Sequence, residues 1–388
     1  MIPYAKQDII KRDINAVKKV LQSDWLTQGP NVDKFEKDIV TFCNARYGIS
    51  VNSATSALHI SCLALGVGQN DIVWTSPNSF VASSNCALYC GAKVDFVDID
   101  PITYNISISE LKKKLYHAKK INKLPKVIIP VHFAGQPCDM IEIYKLSKIY
   151  NFKIIEDASH ALGATYKNKN KKYKIGSCLH SDITVFSFHP VKIITTGEGG
   201  MAVTNNQILS KQLKVLRTSG ITKDQTQMKF KSQNPWYYEQ LTLGYNYRMN
   251  DIQAALGSEQ IKRVKIYVKK RNKIAKNYDL AFKNLPITTP VISKGNYSAF
   301  HLYVILLDKY LDHKKIFKDL RKKNIFVNLH YIPIHTHPYY QSIGFKWGDF
   351  PVAENYYSRA ISLPLYPSLK KSDQKIVIKT LKKCLNFK

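Results

Sequence analysis

Short apolar runs rich in β-branched residues recur along the first half of the chain, separated by longer amphipathic stretches. The runs are DIVWTSP from residue 71, KVDFVDID from 93, KVIIPVHFAG from 126, FKIIEDA from 152 and DITVFSF from 182. Between them, residues 107–118 and 140–150 carry Leu, Ile and Met at three- and four-residue spacings, which is typical of helices that connect parallel strands. This alternation predicts an α/β fold with a mainly parallel sheet.

The second half of the chain has a different pattern. From residue 250 to about 282 the sequence predicts one long helix, and its broadly apolar side carries Ile252, Leu256, Ile261, Val264 and Val268. The last hundred residues mix short strands, such as FHLYVILL from 300, with helices rich in Lys and Leu. A chain of 388 residues is long enough for two domains. We therefore divide it into a large domain, residues 1–240, and a linking helix with a smaller α+β domain, residues 241–388.

The chain carries a net charge of +30, from 58 Lys and Arg against 28 Asp and Glu. Taken alone, such a charge indicates a phosphate-rich partner such as nucleic acid. The lysines are spread along the whole chain, and the densest run, KNKNKKYK at 167–174, is typical of a solvated loop or hairpin. We therefore expect no nucleic-acid partner, although the charge can help to attract an anionic small substrate.

Other bulk features predict a cytoplasmic protein with reduced thiols and no insertion into a membrane. The N-terminal stretch MIPYAKQDIIKRDINAVKKVLQS interrupts its apolar residues with charges, unlike a signal peptide. No segment reaches the roughly 18 to 20 apolar residues of a membrane span. The seven cysteines are scattered, without a CxxC pair.

Three histidines, His330, His335 and His337, form an HxxxxHxH pattern in the segment HYIPIHTHPYY. A metal site normally has further ligands, such as a carboxylate or a second group of histidines. Neither is near in the sequence. We therefore favour contact with a substrate over a metal ion for these side chains and predict no metal site.

Polar residues follow the apolar runs at three places, and ligands of α/β sheets gather at the carboxyl ends of strands. At the first place, EDASHALGA at 156–164, Asp157 closes the run FKII. A carboxylate at this point can keep a pyridine nitrogen protonated. An Asp at a junction between a strand and a helix also commonly caps the helix. The other two places favour the first interpretation.

The second place is DITVFSFHPVKIITTGEGG, in which Lys192 follows Ser187 by five residues and precedes the glycine-rich turn at 197–200. Small residues let a backbone approach a ligand closely. A lysine that leaves an apolar strand beside a cofactor loses its proton through desolvation and can then attack an aldehyde carbon. Most lysines of this chain are surface charges, and only Lys192 has this setting.

The third place is NSATSAL at 52–58, a small polar turn that leads into an apolar helix. Backbone N–H groups and hydroxyls can hold a phosphate there, although an ordinary helix N-cap has the same sequence. The three places together fit one cofactor, pyridoxal 5′-phosphate (PLP), in which a protonated ring accepts electrons from the substrate.

In this order, NSATSAL, EDASHALGA, FSFHPVK with TTGEGG, and GYNYRMND resemble the DegT-type nucleotide-sugar aminotransferases of fold type I. The resemblance covers nearly the whole chain. It implies a PLP-dependent aminotransferase with a large domain built on a mainly parallel sheet and a smaller α+β C-terminal domain. It also implies a homodimer with shared active sites, because the Asn of such a GYNYRMND motif, here Asn246, reaches the phosphate of the neighbouring subunit.

The resemblance further implies roles for individual residues. Lys192 would hold PLP as an imine, and Asp157 would face the pyridine nitrogen. His160 stands near the 3′-oxygen of the ring, where many members have Gln, and Phe80 of TSPNSFVAS would stack on the ring. The other implied cofactor contacts are Ala54, Thr55, Ser187 and Asn246.

Two segments resemble the substrate loops of the family, DWLTQGP at 24–30 and HYIPIHTHPYY at 330–340. The predicted substrate-binding residues are Tyr4, Thr27, Gln28, Gly29, Ser56, Arg248, His330 and Tyr331. The chain is most similar to members that transfer an amino group, usually from L-glutamate, to the C4 keto group of a UDP-linked 4-keto-6-deoxy-N-acetyl hexose in bacterial pseudaminic acid synthesis. A dTDP- or GDP-linked keto sugar is the alternative substrate.

Two other functions fit the same scaffold. A sugar dehydratase of this fold has histidine in place of the Schiff-base lysine, and Lys192 therefore argues against it. A regulator or nucleic-acid-binding protein would use the net charge and would carry no bound chromophore.

Overall fold

The computed structural model describes residues 1–230 and 234–386. In chain order the strands are β1 Ile2–Pro3, β2 Tyr47–Val51, β3 Ile72–Thr75, β4 Lys93–Phe96, β5 Val127–Ile129, β6 Lys153–Asp157, β7 Thr165–Asn168, β8 Lys171–Lys174, β9 Ile183–Ser187, β10 Gly200–Thr204, β11 Ile221–Thr222, β12 Glu239–Gln240, β13 Ile287–Thr288, β14 Tyr303–Leu307, β15 Ile325–Phe326 and β16 Ala360–Leu363. The helices are α1 Lys11–Leu21, α2 Pro30–Cys43, α3 Ala54–Ala64, α4 Ala82–Tyr89, α5 Ile108–Lys120, α6 Met140–Tyr150, α7 Gln207–Arg217, α8 Asp251–Ile261, α9 Val264–Phe282, α10 His313–Lys322, α11 Pro338–Ser342, α12 Pro351–Tyr357 and α13 Lys371–Cys384. Two short 3-10 helices cover Phe133–Gly135 and Ile334–Thr336.

A seven-stranded sheet in the order β2-β10-β9-β6-β5-β3-β4 organises the first half of the chain. β10 is antiparallel to both of its neighbours, and the pairings from β9 across to β4 are parallel. The five predicted apolar runs contain β3, β4, β5, β6 and β9, and the two predicted connecting helices are α5 and α6. The predicted α/β class and mainly parallel sheet are therefore confirmed.

The central strands are apolar on both faces because helices cover both sides of the sheet. Successive side chains of a strand point to opposite faces. Ile154 and Phe186 accordingly join a core on one side, and their chain neighbours Ile155 and Val185 join a core on the other. Double coverage explains why these strands have continuous apolar runs in the sequence.

A smaller unit follows, in which the strands β13, β14 and β16 form an antiparallel sheet. Side chains of this sheet share one core with residues of α9, α10 and α13. The first strand of the chain, β1, pairs in parallel with β15, and Ile2 is buried in the same core. The N-terminus thus packs with the C-terminal unit, while the domain boundary near residue 240 stays a prediction.

The prediction of one long helix over residues 250–282 is wrong. The structure has two helices, α8 and α9, with a break at Lys262 and Arg263. At the break, the guanidinium of Arg263 donates to the buried carboxylate of Asp13 at 2.6 and 2.8 Å and to the hydroxyl of Tyr267. The helical spacing of apolar residues continues across the break, so the sequence pattern did not reveal it. The ion pair between Arg263 and α1 lies at this point.

The lysine-rich run at 167–174 forms the β7–β8 hairpin, in agreement with the sequence-based interpretation. Lys167 and Lys172 face each other across it, and both are exposed. Within residues 1–230 and 234–386, no helix combines the length and the apolar character that crossing a bilayer requires.

Candidate active site

A cleft of about 350 Å³ opens at the carboxyl edge of the parallel strands. Its lining residues follow the ends of β2, β6 and β9, and others follow β1 and β15. Ten of the predicted site residues line it: Tyr4, Ala54, Thr55, Phe80, Asp157, His160, Ser187, Lys192, His330 and Tyr331. The fold therefore assembles most of the predicted site in one place.

Lys192 lies in a turn beyond β9, where its backbone N–H donates to the carbonyl of His189 at 2.9 Å. The residues that follow, Ile193 and Ile194, are buried and fix the turn to the core. Withdrawal from water lowers the pKa of Lys192 to about 8, and the negative charge of Asp157 offsets part of this effect. A neutral amine is therefore available at a pH where an ordinary lysine is protonated.

Asp157 is the last residue of β6 and is 5% exposed. Its carboxylate accepts a hydrogen bond from the Ser83 hydroxyl at 2.6 Å and one from the backbone N–H of Ser159 at 3.1 Å. A carboxylate has further lone pairs beyond those two. Asp157 can therefore accept another hydrogen bond from a ligand in the cleft.

The preceding residue, Glu156, points to the opposite face of the sheet. Its carboxylate accepts hydrogen bonds from Ser181, from Thr184 at 2.9 Å and from His132 at 2.8 Å. The Nδ1 atom of His132 accepts the backbone N–H of Cys138, so the proton on Nε2 is the one directed at Glu156. This buried network fixes the end of β6 and therefore the position of Asp157.

The turn NSATSAL becomes the start of α3, capped by the Ser53 hydroxyl, which accepts from the N–H of Ser56 at 3.1 Å. The first N–H groups of a helix have no partner within it and attract anions. Gly200, at the start of β10, packs on this turn so closely that a Cβ would lie 2.5 Å from the nitrogen of Ala54. Ser187 pairs with Gly200 across the strands. The turn is therefore rigid and bordered by hydroxyls.

Three buried histidines, His160, His301 and His330, stand on the other side of the cleft. Burial lowers the pKa of each ring, that of His330 to about 3 and those of the other two well below the ordinary value. The positive charge of Lys192 adds to the effect on all three. His160 contacts the Tyr331 hydroxyl at 3.1 Å through Nε2. Neutral imidazoles and a phenol therefore form this wall.

These features fit PLP. The cleft offers a lysine with a depressed pKa for the aldehyde and a buried carboxylate for the ring nitrogen. The N-terminus of an 11-residue helix, with Thr55 and Ser187 beside it, suits the phosphate. The exposed side chain of Phe80 lies at the mouth, where it can cover a ring.

Six predicted site residues lie outside this cleft: Thr27, Gln28, Gly29, Ser56, Asn246 and Arg248. The N–H of Gly29 donates to the buried carboxylate of Asp251 at 2.8 Å, which ties the DWLTQGP segment to the end of the GYNYRMND motif. Thr27 and Arg248 form single bridges to Asn250 and Val51, respectively. Their roles in substrate binding stay predictions.

Two of these residues have visible local partners. The hydroxyl of Ser56 donates to Asn52 at 2.7 Å, behind the turn at the start of α3. Asn246 is exposed and forms a bridge to Thr218. Ser56 thus stabilises the turn at the start of α3, whereas Asn246 lies on the surface of the subunit.

Several residues in the cleft were not singled out from the sequence. Ser79, Ser159, His189 and Glu198 lie within or beside quoted motifs, so their positions after strands were a usable signal. His301 had no such signal. It lines the cleft, and its backbone is held by the buried guanidinium of Arg271, on α9, which donates to the carbonyls of Phe300 and His301 at 3.3 and 3.2 Å.

The three histidines of HYIPIHTHPYY separate in the structure. Only His330 lines the cleft, and it contacts Ser362 at 2.8 Å. His335 is fully buried and contacts the carboxylate of Glu354 at 2.9 Å, a partner that no pattern in the sequence indicated. Across the described parts of the chain, no three His, Cys, Asp or Glu side chains are grouped so that they could hold a metal ion.

A larger groove, of about 690 Å³, runs along α10 and is lined by Lys314, Phe317, Lys318 and Arg321 among others. Its lysines are exposed to water, and no carboxylate is among the lining residues. Chemistry rather than size therefore identifies the cleft at Lys192 as the candidate active site.

Comparison with known proteins gives a family for the chain. Residues 7–382 match the model of the DegT/DnrJ/EryC1/StrS aminotransferase family. An uncharacterized protein of Methanocaldococcus jannaschii is 42% identical over 99% of this chain and 98% of its own length. A UDP-4-amino-4,6-dideoxy-N-acetyl-beta-L-altrosamine transaminase of Campylobacter jejuni is 38% identical over 98% of this chain and 96% of its own.

Solved structures agree with this relationship. Helicobacter pylori PseC, an aminotransferase involved in the biosynthesis of pseudoaminic acid, matches with a TM-score of 0.88 and 31% identity over 99% of both chains. The PLP form of the putative sugar aminotransferase Spr1654 from Streptococcus pneumoniae matches with a TM-score of 0.88 and 28% identity over 99% of this chain and 98% of its own. The chain therefore belongs to the DegT/DnrJ/EryC1/StrS family and is a PLP-dependent sugar aminotransferase of fold type I.

Proposed function

We propose that this aminotransferase moves an amino group from L-glutamate to the C4 keto group of a UDP-linked 4-keto-6-deoxy-N-acetyl hexose, within pseudaminic acid biosynthesis. The observation that carries the choice of substrate is the 38% identity with the Campylobacter transaminase over nearly the whole chain. The likeness to PseC supports the choice of pathway. The proposed location is the cytoplasm, where the seven free cysteines would stay reduced.

Lys192 would have two roles, one in binding the cofactor and one in moving protons. Because its pKa is lowered to about 8, its Nζ atom is partly neutral near physiological pH and can bind the cofactor aldehyde. PLP, when bound, supplies a ring that accepts the electrons released when a Cα–H bond breaks. Once the amino donor has displaced the lysine, Nζ is free to accept the donor's α-proton and later to return a proton to C4 of the sugar.

The other predicted cofactor contacts would bind different parts of PLP. Asp157 would accept a hydrogen bond from the ring nitrogen and keep it protonated. Ala54, Thr55 and Ser187 would surround the phosphate at the start of α3. Phe80, more than half exposed in the structure, would lose that exposure by stacking on the ring.

The small domain would supply the sugar end of the cleft. Tyr4 reaches it from the end of β1, and His330 and Tyr331 reach it from the segment after β15. These side chains are neutral hydrogen-bonding groups, which suit sugar hydroxyls and an N-acetyl group better than they suit a charged partner. The diphosphate would instead respond to the overall positive charge of the chain.

A homodimer with shared active sites is part of the proposal. Asn246 lies outside its own cleft, which fits a residue that serves a neighbouring one. Large apolar side chains between residues 230 and 243 are strongly exposed, with Trp236 at 74% and Leu243 at 76%. Exposed apolar groups of this size commonly mark an interface. A second copy of the chain would cover them.

The substrate is tested by supplying purified protein with L-glutamate and a panel of UDP-, dTDP- and GDP-linked 4-keto sugars. Mass spectrometry and NMR of the products identify the sugar and the position of the new amine. We expect amination at C4 of the UDP-linked N-acetyl sugar. Turnover of the dTDP- or GDP-linked sugars alone would overturn the proposed substrate and leave the aminotransferase activity intact.

The role of Lys192 is tested by borohydride reduction of the purified protein, followed by peptide mass spectrometry. The added cofactor mass is expected on the peptide that contains Lys192. The variant Lys192→Ala should carry no such mass and should not transaminate. The variant Lys174→Ala is a matched control, because Lys174 makes surface contacts with Phe42 and Asn44 outside the cleft. Label on another lysine would contradict the assignment.

A further inference from the structure

The carboxylate of Asp157 is held at both oxygens by groups outside the predicted site. The Ser83 hydroxyl donates to Oδ2 at 2.6 Å, and the Ser159 N–H donates to Oδ1 at 3.1 Å. Ser83 has no exposed surface. A hydroxyl at 2.6 Å from a carboxylate is typical of a strong, charge-assisted hydrogen bond.

Ser83 is itself in contact with a second hydroxyl. Its Oγ lies 2.8 Å from Oγ of Ser79, which is 3% exposed and lines the cleft. An ionised carboxylate only accepts hydrogen bonds, and a serine hydroxyl has one proton. Ser83 must therefore give its proton to Asp157 and accept the proton of Ser79. The three groups form a directed chain, Ser79 to Ser83 to Asp157, in which each hydrogen bond strengthens the next.

The helix α4 explains why these hydroxyls meet the end of β6. It begins at Ala82, in the segment that follows β3, so its first turn lies at the same edge of the sheet as Asp157. Ser83 is directed at the carboxylate, whereas the next residue, Ser84, contacts the hydroxyl of Tyr340 at 2.5 Å. Two adjacent and equally buried serines thus have different partners.

We propose that Ser83 is a positioning residue for Asp157, and that Ser79 supports it from the wall of the cleft. This inference rests on the proposed role of Asp157 toward the ring nitrogen of PLP. Ser83 fixes the rotation of the carboxylate and occupies Oδ2, which leaves a defined direction for the contact with the cofactor. Without Ser83, the carboxylate turns more freely and holds the ring proton less well.

The change Ser83→Ala in the full-length holoenzyme tests this role through two measurements that need no substrate. The dissociation constant of PLP is expected to rise by about tenfold, the effect of losing one charge-assisted hydrogen bond at the site. The visible absorbance of the Lys192-bound cofactor is followed as a function of pH. A ring without its proton withdraws less electron density from the imine that links it to Lys192. The pKa of the imine nitrogen then rises, so the midpoint of this titration should move to higher pH.

Three further variants separate positioning from simple packing. Ser84→Ala removes an equally buried hydroxyl of the same helix and should leave both measurements as in the wild type, whatever its effect on stability. Ser83→Thr keeps a hydroxyl and should restore most of the affinity and the wild-type midpoint. Ser79→Ala removes only the supporting hydroxyl and should produce smaller shifts in the same directions. It also provides the test if Ser83→Ala does not fold.

The outcomes distinguish this inference from the proposed function. If the wild type shows the lysine-bound band and Ser83→Ala or Ser79→Ala matches it in affinity and midpoint, the positioning role is overturned and the function stands. Equal shifts in Ser84→Ala would also overturn the role, because they would reflect the packing of α4. A wild type without cofactor on Lys192 would overturn the site assignment and this inference together.

Discussion

Lys192 differs from the other lysines of this chain in its surroundings. Residues such as Lys34 and Lys113 pair with neighbouring carboxylates of their own helices and remain largely exposed. Lys192 instead is half-buried beyond β9, in a cleft that three buried histidines also line. At the scale of a residue, the environment lowers the pKa of this one amine and so favours the neutral form that a nucleophile needs.

The lowered pKa of Lys192 predicts the pH dependence of cofactor binding. As the pH rises through about 8, the amine passes from mostly protonated and unreactive to mostly neutral. The rate at which cofactor-free protein captures PLP should therefore rise through a midpoint near pH 8 and then level off, as followed by stopped-flow absorbance. A midpoint near the ordinary lysine value of 10.5 would contradict the assignment.

The charge of Asp157 provides a second arm of that experiment. Because this charge raises the pKa of Lys192 against the larger effect of burial, its removal in Asp157→Asn should shift the midpoint below pH 8. The same change should weaken retention of PLP, since an amide cannot stabilise a protonated ring nitrogen as a carboxylate does. An upward shift of the midpoint would show that the two side chains do not interact as described.

At the scale of elements, the site depends on how closely β10 and α3 approach each other. Gly200 begins the one antiparallel strand of the large sheet and faces the backbone of Ser53 and Ala54. A Cβ at residue 200 would lie 2.5 Å from three backbone atoms. Backbone cannot rotate away as a side chain can, so glycine is required at this position.

The change Gly200→Ala should therefore displace the start of α3. We expect the free energy of unfolding to fall by about 1–3 kcal/mol, as for other overpacked positions. The affinity for PLP should fall as well, because the displaced turn is the proposed phosphate site. Urea denaturation and a PLP titration measure the two effects.

Gly68→Ala is the control for that variant, since a Cβ at residue 68 meets nothing within 4 Å and the backbone there is not left-handed. It should leave PLP affinity unchanged and stability equal or slightly higher. If Gly200→Ala behaved like Gly68→Ala, close packing between β10 and α3 would not be what shapes the turn.

The elements themselves were largely predictable from the sequence. Five strands and the two connecting helices α5 and α6 follow from runs and periodicities that the chain presents locally. The break between α8 and α9 was not predictable from local periodicity, and the residue at the break, Arg263, contacts Asp13, 250 residues away in the chain. Local pattern predicts the type of an element better than its limits.

At the scale of the whole molecule, the proposed dimer can be tested by complementation. Lys192→Ala and Asn246→Ala should each be inactive or nearly so as pure dimers. If Asn246 serves the neighbouring site, a hybrid dimer contains one site with both defects and one intact site. Unfolding and refolding an equal mixture should then recover about one quarter of wild-type activity, since half of the random dimers are hybrids.

The same mixture separates the alternatives. If Asn246 acted in its own subunit, every site of a hybrid would carry one defect, and no activity above that of the separate variants would appear. Light scattering on the mixture confirms that dimers have formed.

Replacement of the exposed Trp236 by Ser should weaken the dimer if the apolar residues around it form the interface.

The sequence by itself determined the fold class and the family, and it predicted the chemistry at the ends of β2, β6 and β9. These features depend on residues that are close together in the chain, so periodicity and short motifs predict them. Lys192, Asp157 and the turn at Ala54 and Thr55 were all found in this way, and the structure brings them into one cleft.

Only the tertiary structure decided which distant residues complete that cleft. β1 pairs with β15, and this pairing carries Tyr4 and His330 to the same opening. Arg271 contacts the backbone of His301, which also lines the cleft, and α4 carries Ser83 to Asp157. Each of these contacts joins residues that are dozens to hundreds of positions apart. Their side chains have no local pattern to mark them, because packing between elements brings them together.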